Sequence, residues 1–145
     1  MSEAPAPVRC VTKSVTIDRP AAEVHAYLAD AANWPRWAVI NVLAVEPSAE
    51  RGWWKITTAQ GPGEIRIHAD AATGVLDHDF RDNSETIFTV PARVVANGRG
   101  AEFLMTFLQP SEMNDDELDS QLELVETELA TLKSVLERGR GDLLM

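Results

Sequence analysis

The chain has 145 residues, with 13 basic and 23 acidic side chains and a net charge of −10. That length suits one domain with a full core, and the negative field repels phosphate backbones and anionic lipid, so neither nucleic acid nor a membrane surface is an expected partner. The single cysteine, Cys10, rules out an intrachain disulfide and a cysteine-based metal site.

Met1 to Val8, with Pro5 and Pro7, reads as a flexible tail without an apolar run of signal-peptide length. No stretch reaches the roughly 20 apolar residues of a membrane span. A cytoplasmic location without membrane insertion is the expectation. Arg9 to Ile17 alternates Val11, Lys13, Val15 and Ile17 against Cys10, Thr12, Ser14 and Thr16, which predicts a first strand with Cys10 half-buried. Asp18 is placed to cap a helix with Pro20 in its first turn and Val24, Tyr27 and Leu28 on its buried face. A second short helix is expected over Ala31 to Trp37, interrupted by Pro35.

Six strands follow. Strand two spans Val42 to Glu46 and strand three Trp53 to Ala59. Gly61, Pro62 and Gly63 read as a turn before strand four, Glu64 to Ala69. Strand five is Val75 to Arg81 and strand six Thr86 to Ala96. Asn97-Gly98 signals a tight turn into strand seven, Ala101 to Gln109. The short connections predict an antiparallel meander.

The last stretch, Asn114 to Arg138, carries Leu118, Leu122, Val125, Leu129, Leu132 and Leu136 at helical spacing. Asn114 with Glu117 reads as a capping box, and Gly139 as the stop. Such a helix needs a surface to bury its stripe on, and the sheet needs a cover. One α+β domain over residues 9–138 is expected, with tails at 1–8 and 139–145.

Three local features resemble the helix-grip superfamily of START-like lipid-transfer domains, polyketide cyclases and dehydrases, and pollen-allergen-like proteins. They are Ile17-Asp18-Arg19-Pro20-Ala21-Ala22-Glu23-Val24 at the strand-to-helix entry, Asn33-Trp34-Pro35-Arg36-Trp37, and the ending Glu128-Leu129-Ala130-Thr131-Leu132-Lys133 with Leu136-Glu137. The resemblance implies a seven-stranded curved antiparallel sheet wrapped around the long C-terminal helix, with a cavity between them for an apolar small molecule. It implies no fixed catalytic set.

Strand alternation assigns the inward face. On strand five Leu76, His78 and Phe80 point in, opposite Val75, Asp77 and Asp79. Trp54 and Ile56, Phe88, Val90, Ala92 and Val94, and Phe103, Met105 and Phe107 also point in, facing helix positions such as Leu122 and Leu129. Phe and Met side chains make an adaptable apolar lining, and equally an ordinary core. His78 in such a lining is a candidate general acid or base, or a hydrogen-bond partner for a ligand; the same position suits a structural core histidine. Trp37 is placed to cap the mouth, although Trp34 and Trp37 together also suit a wedge between helix and sheet. Asp77 and Asp79 flank His78 but face the other way, so no metal site is expected, and no cofactor. His25 and His68 have no partner at useful spacing. Trp53 on the outer face would leave apolar surface for a homodimer unless a loop or long side chain covers it. The leading expectation is binding of a lipid- or polyketide-like ligand. The alternatives are a cyclase or dehydrase using His78, and a ligand-free partner-binding module.

Overall fold

The computed structural model describes residues 4–82 and 86–143, with the backbone alone for 139–143. The first three residues of the expected N-terminal tail and the last two of the C-terminal one lie outside the described residues. Eight strands and three α-helices follow in order: β1 (Cys10–Ile17), α1 (Ala21–Ala29), α2 (Trp34–Trp37), β2 (Ala44–Pro47), β3 (Trp54–Thr58), β4 (Gly61–Asp70), β5 (Val75–Arg81), β6 (Ile87–Val90), β7 (Ala92–Asn97), β8 (Gly100–Leu108) and α3 (Asp115–Leu143). A 3₁₀ turn, Ala31–Asn33, precedes α2. The sheet is antiparallel, ordered β1-β8-β7-β5-β4-β3-β2, with β6 beside β5.

The expected sixth strand is two strands here. Pro91 has no amide hydrogen to donate to a ladder, so β6 pairs with β5 and β7 pairs with β8 on either side of it. The Pro91 carbonyl still accepts from the Thr106 amide at 2.9 Å. Val90 and Ala92 flank the break and both stay buried, so the inward face continues across it.

Four local expectations need correction. Gly61-Pro62-Gly63 is not a turn but the start of β4, and the chain turns at Ala59 and Gln60 instead. Pro62 is tolerated because it pairs only with Thr57, while pairing with β5 begins two residues later at Glu64. Asp18 does not cap α1: Pro20 is the N-cap, and the Asp18 carboxylate is taken by Arg99 at 2.9 and 3.0 Å. Cys10 is exposed, on the solvent side of the edge strand β1. Gly139 does not stop α3, which runs on to Leu143.

The capping box is present: Glu117 N–H donates to Asn114 Oδ1 at 2.8 Å and Asn114 N–H to Glu117 Oε1 at 3.1 Å. Leu118, Leu122, Val125, Leu129 and Leu132 are buried. The helix lies alongside β1 and runs in the same direction. Arg9 meets Asp119, Lys13 meets Glu126, the Thr16 carbonyl accepts from Lys133, and Asp18 N–H donates to Glu137. From Arg9 to Asp18 a strand rises roughly 30 Å; from Asp119 to Glu137 a helix rises roughly 27 Å. The two lengths match, so the contacts stay in step from end to end.

The outer face of the sheet carries its own buried network. Asp79 is 4% exposed. It accepts from Arg66 at 2.9 and 3.1 Å, from His68 at 2.7 Å and from Thr89 at 2.5 Å. Burial alone would raise its pKa, but these donors outweigh it and hold the carboxyl at about 2. His68 therefore has a partner that its spacing in the sequence does not reveal. So does His25, whose Nε2 lies 3.0 Å from the Val75 carbonyl. Trp53 is 4% exposed, lying between Arg66 and Arg81, whose guanidinium carbons sit 4.4 and 3.8 Å from its ring centre. Long side chains thus cover it, and Trp53 leaves no apolar patch to support a homodimer.

Asp79→Ala would leave Thr89 and the part-exposed Arg66 without their acceptor and should cost about 1–3 kcal/mol in urea unfolding; no measurable loss would show that the network contributes little. Gly74 has φ +81°, and an added Cβ would lie 2.1 Å from the Val94 carbonyl oxygen. Gly98, at φ +57°, faces open space. Gly74→Ala should therefore lower the unfolding midpoint well beyond Gly98→Ala, whose penalty is only the backbone term of about 1 kcal/mol. Equal shifts would mean that the β4–β5 turn does not dock tightly on β7.

Candidate functional site

Alternation along β5 sends Leu76, His78 and Phe80 inward, as expected. Cross-strand pairing fixes their neighbours. His78 sits between Ile67 and Val90, Phe80 between Ile65 and Phe88, and Trp54 lies opposite Ile65. On β8, Phe103 pairs with Val94 and Val15, while Met105 and Phe107 continue the same face. Leu122 and Leu129 close it from α3. Trp37, Ile56, Leu76, His78, Val90, Phe103, Met105, Phe107, Leu122 and Leu129 are all buried, and Trp54, Phe80 and Phe88 pack partly buried against this core.

The centre of this face is a chain of rings. His78 meets Phe80 edge-on at 5.4 Å and Trp34 at 4.9 Å; Trp34 meets Trp37 at 4.8 Å, and Trp37 meets Phe103 at 6.2 Å. Pro35 in the first turn of α2 starts that short helix, and both indoles are buried. Trp34 donates its indole N–H to the Leu28 carbonyl at 2.9 Å and so wedges the short helix against α1. Trp37, 1% exposed, lies in the interior rather than at a mouth.

His78 is fully buried and its Nδ1 lies 3.0 Å from the Leu76 carbonyl oxygen. Burial pushes its pKa down to about 4, against smaller opposing effects of the Leu76 hydrogen bond and of Asp77 and Asp79. At neutral pH the ring is uncharged. It is a hydrogen-bonding group and a weak base, not an acid with a proton to give.

One polar residue of this interior is not apparent from the sequence. Glu128 on α3 is 3% exposed. It accepts from the amides of Ile40 and Asn41 at 3.0 and 2.8 Å and from Asn41 Nδ2 at 2.7 Å. Gln121 donates to Asn41 Oδ1 at 3.0 Å. Burial raises the Glu128 pKa, partly offset by these bonds. Its position is readable in principle, three residues after Val125 and four before Leu132, on the flank of the apolar stripe.

An open groove of about 510 Å³ lies elsewhere, along β2, β3 and the start of β4, beside Arg81 and Asp82. Of the expected lining only Ile56 borders it. Among the described residues no group of three or more His, Cys, Asp or Glu side chains is arranged to hold a metal ion. No described helix is long and apolar enough to cross a membrane.

No protein-family model matches the chain, and no curated protein does. Solved structures do. The di-domain ARO/CYC BexL from the BE-7585A biosynthetic pathway matches with a TM-score of 0.68 at 22% identity, over 89% of this chain and 46% of that one. The chain thus spans a little under half the length of that protein. Ara h 8.0201 matches with a TM-score of 0.66 at 14% identity, over 90% of this chain and 99% of that one. The Aha1 dimer from Colwellia psychrerythraea matches with a TM-score of 0.67 at 12% identity, over 89% and 96% of the two chains. At these identities the likeness is one of fold. With its long C-terminal helix held against a single antiparallel sheet and two short helices between the first two strands, the chain has the helix-grip fold.

Proposed function

We propose that the chain binds an apolar or aromatic small molecule, lipid- or polyketide-like, between the sheet and α3. The observation that carries this reading is the ring chain from His78 to Phe103, an aromatic and Met-lined face that holds a neutral imidazole with one ring nitrogen unpaired. A plain core would be expected to pair that nitrogen. The proposed contacts are Trp37, Trp54, Phe80, Phe88, Phe103, Met105 and Phe107, with Leu122 and Leu129 from α3.

The second reading is a cyclase- or dehydrase-type enzyme with His78 as acid or base. The fold likeness to a di-domain ARO/CYC supports it. The low His78 pKa weighs against it, because a ring neutral down to about pH 4 is a weak base at pH 7 and carries no proton to donate from Nε2. Binding is therefore preferred over turnover.

Native mass spectrometry of protein purified from its source should show a retained small molecule. An environment-sensitive apolar dye should bind the purified protein, and Phe107→Ala should change its affinity more than Arg93→Ala, on the exposed side of β7. Equal effects of the two substitutions would remove the interior site.

His78 also sets a pH dependence. Its folded pKa lies below the unfolded value of about 6.5, so between pH 6.5 and 4 the unfolded chain takes up the proton first. Stability is full above that window and is lost as pH falls through it, by about 3 kcal/mol in all. His78→Phe should fold, and should flatten this part of the curve when urea unfolding is compared at pH 7 and pH 4. An unchanged slope, or an NMR titration of the ring near 6.5, would place His78 in contact with water and defeat the interior site.

A further inference from the structure

A strand in an antiparallel sheet turns the backbone groups of successive residues to opposite sides. The Gln109 amide donates to the Arg9 carbonyl at 2.9 Å, so the odd-numbered residues of β1 face β8 and the even-numbered ones face away. Three other bonds agree. Thr106, opposite Thr12, sends its amide to the Pro91 carbonyl rather than to β1, and Thr16 and Asp18 turn their outward carbonyl and amide toward α3. Since β1 ends the sheet, the outward groups form an edge.

Only part of that edge is covered. Lys133 donates to the Thr16 carbonyl and Glu137 accepts from the Asp18 amide. No described group meets the outward N–H and C=O of Cys10, Thr12 and Ser14. Their side chains are exposed and uncharged, and the pairing with β8 runs past them without a bulge. Arg9 and Lys13 turn to the other face, where Asp119 and Glu126 hold them. The opposite edge of the sheet, β2, is blunted by its length of 4 residues and by Pro47 at its end. Between Cys10 and Ser14, β1 has neither device.

We propose that two copies of the chain meet at this edge, with their β1 strands paired antiparallel about a two-fold axis at Thr12, so that the two sheets become one. A second copy fits because it offers the same groups in the same order, and a two-fold axis satisfies both edges at once. Charge fixes the register. With Thr12 opposite Thr12, Cys10 meets Ser14, while Arg9 and Lys13 face Val15 and Val11 of the second copy. A shift of two residues sets Arg9 against Lys13, or Lys13 against Lys13, and like charges directly opposite are destabilising. A shift of four places Ser14 against Ala6, before β1 begins, or Thr12 against Thr16, whose carbonyl Lys133 already holds. In the preferred register the outer face carries uncharged rows across the axis: Thr106 and Thr12 against the same pair, and Leu108 and Cys10 against Ser14 and Leu104.

Sedimentation of the full chain should show a monomer–dimer equilibrium that moves toward dimer with concentration. Added salt should favour the dimer, because each copy carries −10 and no opposite charges are paired across the axis. Ser14→Pro removes an N–H that makes no bond within one copy, and should weaken association about tenfold or more. Thr12→Lys sets two lysines against each other at the axis and should weaken it too, with the β8 pairing intact. Circular dichroism checks that each variant folds. A measurement on the unaltered protein needs neither: exchange of the Cys10, Thr12 and Ser14 amides should slow as concentration rises. The register is read with Ser14→Cys, whose new thiol lies opposite Cys10 of the second copy, so a short bismaleimide should link the copies. In the unaltered protein the two Cys10 thiols are four residues out of step, roughly 14 Å, and the same reagent should not link them. A monomer at every concentration, a dimer that both folded variants keep, or exchange at the three amides that ignores concentration would overturn the proposal. A dimer in which Ser14→Cys gives no cross-link would overturn the register.

Discussion

An antiparallel sheet with one apolar face needs a cover of matching length, and α3 supplies it. Strand and helix advance by different rises per residue, so a long helix stays in step with a strand only if about twice as many helical residues are used. The contacts from Arg9–Asp119 to Asp18–Glu137 meet that condition along β1. The individual ion pairs sit at the surface, where each is worth at most about 1 kcal/mol. The larger part comes from burying the stripe from Leu118 to Leu132, at roughly 1.5–3 kcal/mol for each large apolar side chain. That stripe shares one buried core with Phe103, Met105 and Phe107 of β8 and with the Trp34–Trp37 pair of α2, and few polar groups enter it.

Those that do enter are treated in three ways. Asp79 stays charged, because cationic and hydroxyl donors surround it on the outer face. Glu128 is held by two backbone amides and a side-chain amide instead. With no cation among those donors, burial is the larger influence and its pKa rises. His78 answers burial by losing its charge. The three residues run from an outer face that holds a full charge to a histidine that burial leaves uncharged.

Much of this was legible from residue order. The in-and-out alternation of β5 and β8, the helical spacing of α3 and the Asn114–Glu117 cap all follow local rules, and local rules are what a sequence displays. The inward positions from Trp54 to Phe107 were readable because a one-residue error would have turned charged side chains into the core. What escaped depends on partners far along the chain. Asp79 and Trp53 look solvent-facing until Arg66 and Arg81 are known to fold over them. Asp18 looks like a helix cap until Arg99 claims it. Pro91 reads as one residue in a long strand, and only the separate pairing of its two sides makes it a boundary. Glu128 was hidden by its charge, which argues for the surface, although its spacing placed it beside the stripe. Which ring nitrogen of His78 is free could not be read at all, since that depends on how the ring turns toward a backbone carbonyl two residues away.

The register of β1 also constrains how the protein can be made. Thr12 finds its cross-strand partner in Thr106, 94 positions later, and the helix that covers both strands comes after that. During synthesis on the ribosome, which proceeds from the N-terminus, β1 emerges first as an edge without a neighbour. The hairpins from β3 to β5 can pair among themselves as they appear, but their apolar face stays uncovered until the last residues of α3 have left the exit tunnel. A chain built this way completes its core late and all at once. Until α3 docks, the Phe, Met and Val side chains of that face have no cover, a state in which apolar surface is open to other molecules.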